Sequence, residues 1–317
     1  MPNKPNIIQD RDRSGTKRNS SLPIVTVIII NLNQGHYLRD CLNSVVNQSY
    51  QNIEIVFQDG NSSDNSKIIL NGFPQVMLNS EKDLSSSHAF AKATGRAKGK
   101  YLFFLCSSDG FYSENWIANA VSILEEMNTV SMVTGSVVGV DSESNLISYF
   151  WPEKNRKSLS PKTNFYSWLF DGFGFTPITF GIRADVLRSC AMPADKFLPP
   201  EDDNSVDFFW NLSENFFSRG FISIRSEEVA SFVRIHTDRV DDSKYLPRQL
   251  SQLHSFIVNF RKELLLGRRK YDFVNPEGQK VAAYELKVIE IWIIYVLSKF
   301  RHLLDGKSKK IYPNRKI

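Results

Sequence analysis

Cysteine is scarce in this 317-residue chain: Cys41, Cys106 and Cys190 are its whole complement. Three thiols so widely spaced cannot all pair within one chain and lack the spacing of a metal cluster. A disulfide framework is therefore not expected, and a reducing cytosol suits the chain. Long apolar runs are missing too. The Val/Ile-rich stretch Ile24–Ile30 is far short of the roughly 20 residues a membrane span needs. Its polar, basic upstream flank is unlike that of a signal-peptide core. Charge of one sign is also lacking. The net charge is +5, and the first two-thirds hold no interleaved basic–aromatic patch, so nucleic acid is not an expected partner. The apolar fraction of 42% and charged fraction of 23% are ordinary for a soluble globular protein. The length allows one large domain with an appendage, or two domains.

The chain is organised around Val25–Ser66. The first apolar run reads as a strand buried on both faces. It ends in the polar turn Asn31-Leu32-Asn33-Gln34-Gly35. A helix follows, with Leu38, Leu42, Val45 and Val46 on one face. A second apolar run, Ile53–Phe57, stops at Asp59-Gly60-Asn61-Ser62-Ser63-Asp64. Strand, helix and strand with short turns predict a βαβ unit. Both polar clusters then lie at carboxyl ends of parallel strands, where ligands bind in open α/β sheets. Downstream, Ser62–Phe73 reads as a short helix with Ile68 and Ile69 inward, Val76–Leu78 as a strand, and Lys100–Cys106 as another buried strand.

These residues resemble the start of a family 2 glycosyltransferase with the GT-A fold. That family has a first strand closed by Tyr-Asn, a helix ending near Gln-Thr-Tyr, and a strand ending Asp-Gly-Gly-Ser-Thr-Asp. The counterparts here are Asn31-Leu32-Asn33, Asn47-Gln48-Ser49-Tyr50 and Asp59–Asp64. Leu32 replaces the usual Tyr, which removes a stacking contact to the nucleobase. The resemblance implies that Asp59, beside Asn31 and Asn33, accepts hydrogen bonds from the base of a nucleotide-sugar. Taken alone, Asp-Gly is also an ordinary strand-ending turn. Ser80-Glu81-Lys82-Asp83 and Ala97-Lys98-Gly99-Lys100-Tyr101 match further family segments, which brings Asp83 and Lys92 to the donor side. Ser85, His88 and Ala91 depart from the pattern, and His88 reads as a partly exposed surface residue.

The family holds a divalent cation, Mn²⁺ or Mg²⁺, on an Asp-x-Asp-type motif after the fourth strand. A hard cation offsets the charge gained by the leaving diphosphate. Here the strand ends Leu105-Cys106-Ser107-Ser108-Asp109, so Asp109 alone keeps a carboxylate and Ser108 offers a hydroxyl. Arg234-Ile235-His236 retains the family's Arg-x-His and makes His236 a second metal candidate. The acidic segment Pro199–Asp207 opens a helix over Phe208–Arg219. By resemblance a carboxylate there is the general base, with Asp207 the first choice and Asp203 the second. The same acids also suit helix capping and the helix dipole.

The expected organisation is a disordered polar tail over residues 1–22, a GT-A domain over 23–240, and a helical region with a basic tail over 241–317. The fold class is α/β: a Rossmann-like, mixed but mostly parallel sheet with helices on both faces, plus a C-terminal helical appendage. The aromatic stretch Tyr149–Pro177 suits either an acceptor groove or packing under a loop. Val281–Leu304 reads as a helix, either buried against the domain or lying in a membrane interface beside a basic tail. The resemblance implies an inverting transferase that takes a nucleoside-diphosphate sugar to a polysaccharide or lipid-linked glycan. It would be cytoplasmic or peripheral on the inner face of a membrane. The competing reading is a non-catalytic GT-A-fold binding protein with an altered metal motif.

Overall fold

The Val/Ile-rich run forms β1 (Val25–Asn31), buried along its whole length. α1 (Gly35–Val46) follows and turns Tyr37, Leu38, Cys41, Leu42 and Val45 inward. Val46, expected on the same face, is exposed. It lies roughly 100° around the helix from Val45. β2 (Ile53–Asp59) runs parallel to β1 with Asn31 directly opposite Asp59. This computed structural model describes residues 22–149, 160–171, 177–202, 205–236 and 246–304. Residues 1–21 of the expected N-terminal tail, Asp203 and residues 305–317 of the basic tail lie outside the described residues.

α2 (Ser66–Leu70) is little more than one helical turn, and it buries Ser66 and Leu70. Ile68, expected inward, is 73% exposed. With Ser66 and Leu70 facing in at i and i+4, position i+2 must face out. β3 (Val76–Ser80) pairs parallel with β2, and α3 (Ser86–Arg96) returns the chain across the sheet to β4 (Tyr101–Cys106), parallel with β1 on its other side. The chain thus leaves β1 in one direction and comes back beside it from the other. That is a topological switch point, and the crevice outside the carboxyl ends of β1 and β4 is where such sheets take ligands.

The remaining elements widen the sheet. They are β5 (Gly110–Phe111), α4 (Trp116–Glu126), β6 (Met132–Val140), β7 (Leu146–Tyr149), α5 (Pro161–Tyr166), β8 (Phe180–Arg183), α6 (Ala184–Cys190), α7 (Phe208–Ser218) and β9 (Ser223–Arg234). The strand order is β3-β2-β1-β4-β8-β6-β9-β5, with β7 paired to β6. The β4–β8, β6–β8, β6–β7 and β5–β9 ladders are antiparallel, and each is shorter than any of the parallel ones. β9 starts six residues earlier than Val229, where the sequence suggested it begins, because Ser223–Arg225 pair with Met132–Thr134.

Two aromatic clusters fix the helices against the sheet. Phe90, Phe104, Phe180, Phe208 and Phe209 interlock, with centroids 4.9 Å apart for Phe90–Phe209 and 5.4 Å for Phe104–Phe209. They pin the start of α7 against α3 and β4. Trp168, in a π-helical turn over Ser167–Asp171, stacks on Phe217 at 5.1 Å and meets Phe260 edge-on at 5.2 Å. In the described part of the aromatic stretch, Phe165, Trp168 and Leu169 are core residues. α8 (Leu246–Leu265) buries Leu253, Ile257, Phe260 and Leu264, and α9 (Val288–Leu304) buries Ile291. These side chains join the core of the sheet rather than forming their own. α9 begins later than Val281 because a short 3₁₀ turn over Ala282–Tyr284 precedes it.

Candidate functional site

Asp59 closes β2 at the crevice and is fully buried. Its Oδ1 accepts from Asn31 Nδ2 at 2.9 Å and Ser62 Oγ at 2.5 Å. Its Oδ2 accepts from Ser62 N at 3.0 Å and Ser80 Oγ at 2.7 Å. An ionised carboxylate offers about four acceptor directions, and four donors take them. Burial pushes the Asp59 pKa up, but these hydrogen bonds outweigh it and leave the pKa below its ordinary value. The residue expected to meet a base is therefore also the hub that ties β1, β2 and β3 together.

The neighbouring loops are laced in the same way. Asn33 sits at φ 53°, a left-handed conformation Asn tolerates. Its Oδ1 accepts from Ser63 N at 2.8 Å, and its N–H donates to Ser62 Oγ at 2.9 Å. Asp64 Oδ2 accepts from Gly35 N at 2.7 Å, at the first turn of α1, where the helix has unsatisfied N–H groups. A Cβ on Gly35 would lie 2.1 Å from Asn65 Oδ1 and 2.9 Å from Asp64 Oδ2, so this close approach needs glycine.

A different set of residues faces the crevice. A Cβ on Gly60 would be 3.2 Å from Leu32 Cδ1 and 3.6 Å from Asp83 Oδ2, so the ends of three strands converge there. Leu32 is exposed. Asp83 accepts from Gln58 Nε2 at 3.1 Å and pairs with Lys92 at 2.7 Å; Lys92 also reaches Glu81 at 2.9 Å. Burial alone would lower the Lys92 pKa, but hydrogen bonds to Asp83 and Glu81 prevail and raise it. His88 Nδ1 accepts from Leu84 N at 3.1 Å, and burial, with Lys92 nearby, lowers its pKa. Because Nδ1 accepts a backbone N–H, it has no proton to offer Asp83, and the 3.9 Å approach is not a hydrogen-bonded ion pair.

After β4, Asp109 is buried and its Oδ1 accepts from Arg234 N at 3.0 Å. Arg234 is itself fully buried. Its guanidinium donates to Ser108 O, Asp141 O, Ser142 O, Ser144 Oγ and Asp40 Oδ2, and lies 4.8 Å from the Tyr37 ring centroid. His236 packs its ring on Tyr37 at 4.6 Å. Among the described residues no group of three or more His, Cys, Asp or Glu side chains could hold a metal ion. With one carboxylate, one of whose oxygens already takes a backbone N–H, Asp109 and its neighbours do not by themselves fit a divalent cation.

Asp207 caps α7. Its Oδ1 accepts from Phe209 N at 2.9 Å and Trp210 N at 3.0 Å, and its Oδ2 from Ser87 Oγ at 2.9 Å. Ser87 in turn accepts from Phe208 N at 3.0 Å. The first turns of α3 and α7 are joined through this pair. α3 carries Ser87 against Asp207 and Lys92 against Asp83, so both carboxylates flank one helix at the carboxyl edge of the sheet. Sequence reasoning overlooked Ser62, Ser80 and Ser87, whose short hydroxyls orient the carboxylates, and gave Arg234 no role.

The family model described as Glycosyl transferase family 2 matches residues 26–190. The chain is 30% identical over 133 residues to the glycosyltransferase GlyG of Streptococcus pneumoniae serotype 4, covering 40% of this chain and 43% of that protein. It is 24% identical over 256 residues to an uncharacterized glycosyltransferase of Haemophilus influenzae, covering 77% of this chain and 91% of that one. The match with GlyG thus spans less than half of that relative's length. Among solved structures, S. aureus TarS 1–349 is similar with a TM-score of 0.57 at 14% identity, over 90% of this chain and 73% of that one. Its complex with UDP-GlcNAc gives 0.55 at 14%, over 91% and 76%. At such identity the likeness is one of fold.

Proposed function

Because the chain belongs to glycosyl transferase family 2, we propose that it is an inverting glycosyltransferase that moves a sugar from a nucleoside-diphosphate sugar to a polysaccharide or lipid-linked glycan. The observation that carries this reading is that Leu32, Asp83 and Asp109 follow the carboxyl ends of β1, β3 and β4 on the two sides of the switch point, while Ser87 ties Asp207 to the first turn of α3. TarS, which shares the fold, has been solved with UDP and with UDP-GlcNAc, and a UDP-sugar is the donor we assign. Leu32 and Gly60 give a small apolar floor for the flat face of a base, and Asp83 an acceptor for its N–H. Asp59, Asn31 and Asn33 hold that floor from beneath. Ser108 and Asp109 stand at the end of β4, on the diphosphate side, and Lys92 balances the charge of Asp83 and Glu81.

Transfer needs a base. The acceptor hydroxyl oxygen attacks the anomeric carbon, the bond from that carbon to the diphosphate oxygen breaks, and the hydroxyl proton passes to a carboxylate. Attack opposite the leaving group inverts the configuration. Asp207 fills the role: it stands at the N-terminus of α7, and Ser87 orients its Oδ2. Family members generally use a divalent cation to offset the leaving diphosphate. Asp207→Asn should abolish transfer while leaving UDP affinity nearly unchanged, since a base acts only in the transition state. An active Asp207→Asn enzyme would move the base elsewhere, with Asp203 tested next.

A second reading, a donor-binding protein without turnover, is favoured by one observation: the single carboxylate at Asp109 is already engaged. UDP binding by calorimetry without hydrolysis or transfer of any UDP-sugar, with or without manganese, would select it. A lipid-linked acceptor would bring the protein to the inner face of a membrane.

A further inference from the structure

α9 is held to the protein by one side. Ile291 is buried, Trp292 Nε1 donates to Leu265 O at 3.2 Å, Glu290 pairs with Lys162 at 2.8 Å, and Tyr295 lies 5.8 Å from the Arg261 guanidinium. The outward side carries Val288, Ile289, Ile293, Val296 and Leu297, each more than two-fifths exposed, with the Trp292 ring at its edge. A contiguous stripe of five large apolar side chains is more than the scattered exposure of an ordinary surface, and marks a place of contact.

We propose that this face of α9 docks on an anionic lipid bilayer. Charge selects the occupant. Residues 299–317 contain seven Lys/Arg and one Asp, against a net charge of +5 for the whole chain. The positive excess therefore falls in the stretch of sequence that ends α9 and follows it, and the rest of the chain is close to neutral. At the opposite end of α9, Glu285 stands beside Lys287, and Glu290 is already paired with Lys162. An anionic headgroup layer satisfies both features, taking the apolar side chains below the headgroups and the cations among them. Trp292 is amphipathic in the way that suits this boundary. No helix among the described residues is long and apolar enough to cross a membrane, so α9 would lie in the plane of the interface. This deepens the membrane contact of the functional reading but is tested apart from sugar transfer.

The test is cosedimentation of the full chain with phosphatidylcholine vesicles, with and without phosphatidylglycerol. Two variants accompany it: I289S/I293S/L297S, altered only at exposed positions, and K307Q/K309Q/K310Q. The full chain should bind the mixed vesicles well above the neutral ones, and less in high salt. Each basic residue near an anionic surface is worth roughly fivefold in partitioning, so K307Q/K309Q/K310Q should lose about tenfold or more, and the serine variant, which removes the apolar side chains that enter the interface, should lose about tenfold or more as well. Circular dichroism and UDP affinity should be unchanged in both, which separates lost docking from lost fold. Equal binding by the serine variant, or no binding by the full chain, overturns the proposal. So does sedimentation showing a dimer that the serine variant abolishes, which would make a second copy the occupant. Vesicle binding without any sugar transfer would count against the transferase reading and leave this one intact.

Discussion

Replacing Asp59 by alanine separates two roles that one carboxylate can fill at the end of β2. If Asp59 is chiefly a hub, its loss is paid in stability. Four donors converge on it: Asn31 Nδ2, Ser62 N, Ser62 Oγ and Ser80 Oγ. The two hydroxyls can rotate, and Asn31 Nδ2 keeps Ser62 and Ser66 within 3.0 Å. The Ser62 N–H cannot turn away and is stranded. One stranded buried donor, plus the charge-assisted bonds forfeited, comes to about 3–5 kcal/mol, a large share of the roughly 5–15 kcal/mol that holds a domain together. Urea unfolding should show a lower midpoint at unchanged slope. The acid limb should change as well. Because the folded-state pKa is depressed, the stability Asp59 supplies is present above its unfolded pKa of about 3.9 and lost as pH falls through the folded value. The alanine variant should therefore show a shallower loss below pH ~4. Asp83→Ala is the contrast. Lys92 retains Glu81, so stability should fall by about 1 kcal/mol or less, while UDP binding weakens by about 1–3 kcal/mol through a lost acceptor. An unchanged urea midpoint for Asp59→Ala together with lost UDP affinity would refute the hub and restore the direct contact with the base.

Gly35→Ala should destabilise by about 1–3 kcal/mol, because the new methyl displaces Asp64 from the N–H it accepts; thermal unfolding reads this directly. Manganese followed by electron paramagnetic resonance should stay free with the protein alone and become weakly bound only when UDP is added, since among the described residues no group of three or more His, Cys, Asp or Glu side chains could hold it. Tight binding without nucleotide would mean ligands outside the described residues. Burial raises the Glu214 pKa to about 7. Its ionisation on unfolding thus costs the fold stability as pH rises from its unfolded value of about 4.3 to about 7, so Glu214→Gln should stabilise by about 1–2 kcal/mol at pH 8, discounted for partial exposure, and by nothing at pH 4.

The half of the fold that periodicity governs was readable. A Val/Ile run, an amphipathic helix and a second run ending in Asp-Gly specify βαβ, and the switch point follows from β1 lying between β2 and β4. Local pattern does not decide what a carboxylate touches. Asp59 reads equally as a base acceptor or as a turn residue until Ser80, more than twenty residues on, is seen to reach it. Asp207 reads equally as a base or a cap, and the cap is realised through Ser87, whose partner lies 120 positions away in sequence. Ile68 failed for a simpler reason. α2 has five residues, too few for apolar spacing to outvote the turn that sets its orientation.

The same long-range packing connects the surface to the site. α9 rests on α8 through Ile291 and the Trp292–Leu265 hydrogen bond. α8 rests on α7 through Phe260, Trp168 and Phe217. α7 begins at Asp207, which Phe208 and Phe209 lock against α3 and β4. Close-packed aromatic contacts of this kind transmit position because they have little room to yield. Gly220 adds a rigid corner just after α7: at φ 86° its N–H still bonds Phe217 O, and its own carbonyl accepts from Val274 N at 2.8 Å. A bilayer that fixes α9 would therefore also fix the direction in which the Asp207 end of α7 faces. An acceptor presented from that bilayer would then meet the crevice in one orientation, rather than having to find it by rotation of a freely tumbling protein.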